Sequence, residues 1–162
     1  MSATALEKAM TAFYERFLQR DLASIDVDAV VAAWPTWDEL EADIRSKLTG
    51  ALAEKGVRET REKYVDADGL RVRVQTLVAD WPSLRPRLEA QLVPAATLQR
   101  SLAAAGTPTH PEQIGLTLAD LKATFPRAMY YRSRYTVLDV SREIGWFAEL
   151  VDEVFAPGGL WT

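Results

Sequence analysis

The amino-acid sequence predicts an all-α protein, and three observations carry that expectation. Apolar residues recur every three to four positions through most of the 162 residues. At Thr36, Thr109, Thr117 and Thr136 a threonine stands three residues before an acidic residue, the pattern of a helix start in which the hydroxyl takes an amide proton and the acid reaches back. Prolines and glycines then punctuate the chain at helix-length intervals. A hydrophobic content of 48% with 26% charged residues is ordinary for a globular chain, and this length buries roughly two-thirds of the unfolded surface.

The elements follow in order. Leu6, Met10, Phe13, Phe17 and Leu18 share one face of a helix over residues 4 to 20. A turn over Asp21 to Asp26 leads to a short helical piece with Val27, Val30, Val31 and Trp34, stopped by Pro35. Thr36 and Glu39 open the next helix, which uses Trp37, Leu40, Ile44, Leu48 and Leu52; Gly50 and Gly56 weaken it, with a break expected near Gly56 before it resumes toward Tyr64. Residues 64 to 78 carry two signals. Asp68-Gly69 beside alternating Leu70, Val72 and Val74 fits a hairpin, whereas Leu70, Val74, Leu77 and Val78 fit a helix; helix is the expectation.

Trp81-Pro82 is expected to end that segment, with a short helix through Leu84, Leu88 and Leu92 after it. Pro94 opens a helix through Leu98 and Leu102 that stops at Gly106. Thr109 to Glu112 caps a short piece ended by Gly115. Thr117 and Asp120 open a helix through Leu121 and Phe125, kinked by Pro126, toward Met129 and Tyr130. Thr136 and Asp139 open one more, closed by Gly145, and Trp146 to Phe155 forms the last. These make roughly eight to ten helices in one domain, residues 1–156, followed by a tail over 157–162 that is loose unless Trp161 docks.

Composition excludes several classes. A net charge of −4 argues against nucleic acid as a partner, because phosphate binding relies on a basic surface. The absence of cysteine removes disulfides and thiolate chemistry and suits a cytoplasmic location. Glu7 and Lys8 interrupt the first ten residues, so neither a signal peptide nor a membrane span is expected there. Asp66, Asp68 and Gly69 begin like a calcium loop, but the later oxygen ligands are missing.

The densest chemistry lies between residues 130 and 139. Arg132 and Arg134 could hold a carboxylate or phosphate bidentately, Tyr130, Tyr131 and Tyr135 supply hydroxyl donors, and Asp139 follows at a helix start. The structural alternative is that the arginines answer a helix C-terminus, the tyrosines pack and Asp139 completes the Thr136 cap. His110, the single histidine, is either an exposed helix-entry residue or a ligand contact. Trp34, Trp37, Trp81 and Trp146 sit at helix boundaries, where core packing is the expectation.

Several blocks carry a resemblance: Gly106-Thr107-Pro108 to Gly115, Arg134-Tyr135-Thr136-Val137-Leu138-Asp139, Phe13-Tyr14 with Arg16, and Trp34-Pro35 with Trp37 and Glu39. Together they resemble the C-terminal helical lobe of bacterial glycerol-1-phosphate dehydrogenase-like proteins, in the iron-containing alcohol dehydrogenase and dehydroquinate synthase superfamily. The resemblance implies a family enzyme with a dinucleotide-binding lobe, a helical lobe, and a metal held by one aspartate and two histidines that precede the matched region. This sequence has no glycine-rich strand-turn-helix, and His110 matches no family ligand. No cofactor, no metal and no autonomous dehydrogenase activity are therefore expected.

Two functions follow as expectations. The first is a stand-alone helical lobe acting as an accessory subunit, packed on a partner protein or on a second copy of itself. The second is a cofactor-independent enzyme or binding protein for a small, anionic metabolite. There Arg132, Arg134, Tyr135 and Asp139 would be catalytic, with Tyr130, Tyr131 and His110 in ligand contact. A fragment of a longer enzyme is a third reading of the same resemblance.

Overall fold

The structure is a computed structural model that describes residues 3–157 and 160–161. Among these residues there is no strand, as the periodicity predicts. The helices are α1 (Ala3–Leu18), α2 (Val27–Ala32), α3 (Trp37–Lys47), α4 (Gly50–Arg61), α5 (Ala67–Gln91), α6 (Ala95–Ala104), α7 (Leu118–Ala128), α8 (Val137–Glu143) and α9 (Phe147–Val154), with short 3-10 turns at Leu22–Ser24 and Pro111–Ile114. No helix among the described residues is long and apolar enough to cross a membrane.

The chain divides into two compact units. The first comprises residues 1–21, 82–123 and 148–162. Its core is built on α1, where Ala5, Ala9 and Ala12 present small side chains beside buried Phe13 and Phe17, and α1 packs on α6. Pro94 offers α6 no side-chain cap, and Glu15 of α1 supplies one, its Oε1 accepting the Ala95 amide at 3.0 Å. Leu121, Leu150, Val151 and Val154 are buried in the same unit. Trp161 docks: its indole donates to the Val154 carbonyl at 2.9 Å and stacks on Phe155, with the Lys8 ammonium 4.4 Å from its ring centre. The rest of the tail, at 158, 159 and 162, lies outside the described residues.

The second unit comprises residues 22–81 and 124–147. Its core includes Leu22, Leu40, Ile44, Leu70, Val74, Phe125 and Leu138. The Thr36 box forms as expected: Thr36 Oγ1 accepts the Glu39 amide and Glu39 Oε2 accepts the Thr36 amide at 2.8 Å. The box at Thr117 forms in the same way, and at Thr136 the Asp139 carboxylate accepts the Thr136 amide and hydroxyl.

Three local expectations change. The break falls at Leu48-Thr49, where both residues are extended and Gly50 turns the chain at φ +56°; it does not fall near Gly56. Gly56 lies inside α4, where the missing side chain lets α3 approach. Residues 67–91 form one helix, in place of two pieces divided at Trp81-Pro82. Pro82 and Pro86 are four residues apart and both exposed, so the two rings share a solvent-facing side of the helix. The cap expected at Thr109 belongs to His110, whose Nδ1 accepts the Glu112 amide at 3.4 Å. Gln113 Oε1 accepts the amides of both Thr109 and His110.

Candidate functional site

Helix α8 organises the polar interior of the second unit. Thr136 opens it, and Asp139 closes the cap by accepting the Thr136 amide at 2.9 Å with Oδ2. The other oxygen, Oδ1, pairs with Lys63 Nζ at 2.6 Å, and both side chains are only 8% exposed. Lys63 also donates to the Met129 carbonyl. One turn later, Glu143 accepts from Arg73 with Oε1 and from the Tyr135 hydroxyl with Oε2. Arg73 lies over the Tyr135 ring, 4.8 Å from its centre, and donates to the Lys63 carbonyl. The two ion pairs are thus stitched together through Lys63.

Arg142, between them in sequence, points another way. Its guanidinium lies 4.9 Å from the Trp34 ring centre and 5.8 Å from that of Tyr130, and donates to the Tyr130 hydroxyl at 3.4 Å. Tyr130 in turn donates to Asp43 at 2.6 Å, and Asp43 pairs with Lys47. Trp34 is held by its indole bond to the Val65 carbonyl at 2.8 Å and stacks on Tyr64, whose hydroxyl donates to Pro35. Among the described residues no carboxylate pairs with Arg142 within 4.0 Å, and its buried Nε has no hydrogen-bond partner.

Above this floor lies a pocket of about 510 Å³, in the size range of small-molecule sites. Val30, Ala33, Pro35 and Leu40 form apolar walls, while Glu39, Asp43, Tyr130, Arg142 and Glu143 contribute the polar groups, Glu39 being held at the Thr36 cap. A groove of about 710 Å³ beside Trp37 is lined chiefly by Glu41, Glu54, Arg58, Arg61 and Glu62 and lacks such walls. The site is therefore the pocket of α2, α3 and α8.

Electrostatics follow from burial. Desolvation raises the Glu143 carboxyl above the ordinary carboxylate range, against the opposing pull of Tyr135 and Arg73. Burial, reinforced by a neighbouring carboxylate, pushes the Tyr130 and Tyr135 phenols up, so both remain protonated donors near neutrality. Burial works to raise Asp43 as well, but hydrogen bonds from Lys47 and Tyr130 outweigh it and leave the carboxyl lowered. Folded Glu143 holds its proton to higher pH than the unfolded chain does. Stability therefore falls as pH rises from the ordinary glutamate range through the raised folded value. Glu143→Gln is expected to flatten that part of the curve, measured by urea denaturation across the acid-to-neutral range; an unchanged slope would contradict the assignment.

The structure brings Tyr130, Tyr135 and Asp139 into this network, Tyr130 and Asp139 buried and Tyr135 39% exposed at its edge. Arg132 and Arg134 are exposed, with no salt bridge among the described residues. Tyr131 is 48% exposed, with Lys55 4.1 Å from its ring centre. His110 lies in the first unit, edge-on to Trp161. Sequence reading missed Arg142 and Glu143, although their spacing of three and four from Asp139 places them on a neighbouring helical face. Asp43, Lys63 and Arg73 carry no local signal, because folding alone brings them to α8. Among the described residues no cluster of three His, Cys, Asp or Glu is placed to hold a metal ion.

Fold and site thus define an all-α protein with an apolar-walled pocket over an arginine. No family model matches the chain, and neither a curated protein nor a solved structure is significantly similar to it.

Proposed function

We propose that the second unit binds a small amphipathic anion, an apolar body ending in one carboxylate. The observation that carries the reading is Arg142: a cation without a carboxylate partner among the described residues, at the polar end of an apolar pocket. Glu143 and Asp43 are ion-paired with Arg73 and Lys47, and Glu39 is held at the Thr36 cap; Arg142 acts on Asp43 and Glu143 only through space, so its guanidinium is the pocket's positive charge without an ion pair among the described residues. Such a charge between Trp34 and Tyr130 is partly desolvated, and a charge-assisted fork to a carboxylate is its strongest available partner. Tyr130 and Tyr135, with raised phenol pKa values, act as donors and not as bases. Binding is thus favoured over acid–base catalysis.

Titration calorimetry with octanoate, octanol and octylamine tests this. Octanoate is expected to bind in preference to the other two, and Arg142→Met, which keeps the packing on Trp34, should weaken it roughly 10- to 100-fold, the worth of a charged hydrogen bond. Equal binding of octylamine, or an unaffected R142M, would sink the reading. The helical-lobe resemblance carries a second proposal, that the chain packs on a partner protein or on itself. It stands on the resemblance alone, and a strict monomer by light scattering that captures no partner would count against it.

A further inference from the structure

A second, much smaller chamber lies beyond Arg142. Its volume is about 10 Å³, and Thr60, Lys63, Tyr135, Asp139, Arg142 and Glu143 are among the residues that line it. Two buried polar atoms of these residues have no hydrogen-bond partner among the described residues: the Thr60 hydroxyl, in a residue only 2% exposed, and Arg142 Nε. Burying a polar group without a partner is costly, and two such atoms on one cavity point to a common occupant. Lys63 and Asp139 already bond each other, as do Arg73 and Glu143, so neither ion pair supplies that partner.

We infer that this chamber is a binding site for one water molecule, and that Thr60 acts through that water as a positioning residue for Arg142. The volume is about that needed for a single water and too small for a metabolite or a multiatomic anion. The chemistry fits equally well. Water accepts the Nε–H of Arg142 and exchanges a second hydrogen bond with the Thr60 hydroxyl, with the carboxylates of Asp139 and Glu143 on the same walls. Among the described residues no other group holds Nε. The Tyr130 hydroxyl holds NH1 at 3.4 Å, and a bond at Nε would fix the rotation of the fork about that point. The direction in which Arg142 presents its charge to the larger pocket then depends on Thr60, a residue that does not line that pocket. This second step rests on the carboxylate-binding reading; the water site itself does not.

The experiment is crystal structures of the wild type, Thr60→Ser and Thr60→Val, joined to octanoate titration of the same three proteins. The wild type and T60S should show one density peak within hydrogen-bond distance of both the residue-60 hydroxyl and Arg142 Nε, and T60V should lose or displace it. Octanoate should bind T60S like the wild type and T60V about tenfold more weakly, the loss of one hydrogen bond that orients the charge. No peak in the wild type, or a peak whose anomalous signal marks a halide, overturns the water assignment. A peak with undiminished octanoate binding by T60V overturns the positioning role. A peak in a wild type that binds no octanoate upholds the water site, and the failure then belongs to the carboxylate reading.

Discussion

Asp139→Asn is expected to lower the unfolding free energy by about 3–5 kcal/mol, the usual cost of removing one partner from a buried ion pair. The asparagine carbonyl keeps the acceptor for the Thr136 amide, so the change isolates the charge from the cap. What remains is the Lys63 ammonium, 8% exposed, with the Met129 carbonyl as its remaining bond partner. For a chain of this length the loss corresponds to a fall in Tm of roughly 6–20 °C. Replacing both partners, Lys63→Met with Asp139→Asn, removes the stranded charge and should recover much of the deficit, because the attraction of a buried pair largely offsets its own desolvation. A double-mutant cycle by urea denaturation checks both statements. If D139N alone stays within about 1 kcal/mol of the wild type, the pair is not buried as described.

The second large effect is at Gly56. A Cβ there would lie 2.7 Å from Leu48 Cδ1 and 3.2 Å from Ile44 Cγ2, with the Tyr130 Cβ at 3.6 Å. The Leu48 methyl can swing aside, but Ile44 is fully buried and belongs to the α3 face that meets α4. Gly56→Val adds two further methyls to this contact and should cost about 2–3 kcal/mol by overpacking, against a gain of only a few tenths from helix propensity. Gly56→Ala should cost less than half as much. The strain falls on Leu48 and Ile44, whereas the Tyr130 Cβ at 3.6 Å is in ordinary contact. A G56V protein as stable as the wild type would show that α3 and α4 are not in close contact at this point.

Much of the helical layout was legible because its signals are local. Thr36 with Glu39, Thr117 with Asp120 and Thr136 with Asp139 each join a hydroxyl and a carboxylate within one turn, and the bonds depend on nothing farther away. Gly106, Gly115 and Gly145 end their elements at positive φ for the same local reason. Residues 64–78 had hairpin and helix patterns in competition, and the helix begins at Ala67. The helix prevails there, burying Leu70 and Val74 on one face. Local rules failed where solvent exposure decided the outcome. A proline costs a helix one backbone bond, yet α5 continues through Pro82 and Pro86, both of which are exposed.

The site divides along the same line. The run from Tyr130 to Asp139 announced itself by density of aromatic and charged groups; Tyr130 and Asp139 are buried in the network, and Tyr135, 39% exposed, joins it through its hydroxyl. Arg132 and Arg134, equally prominent in that run, face outward, since one residue of helical or loop register separates a buried side chain from an exposed one. Short-range bonding therefore prescribed where helices begin and end. Packing between segments distant in sequence selected which charges meet: Lys63 with Asp139, Arg73 with Glu143, and Arg142 with Trp34 beneath the pocket. A cap needs partners a few atoms apart along the backbone, whereas a buried charge needs whichever partner the core brings to it, and only the folded chain specifies that neighbour.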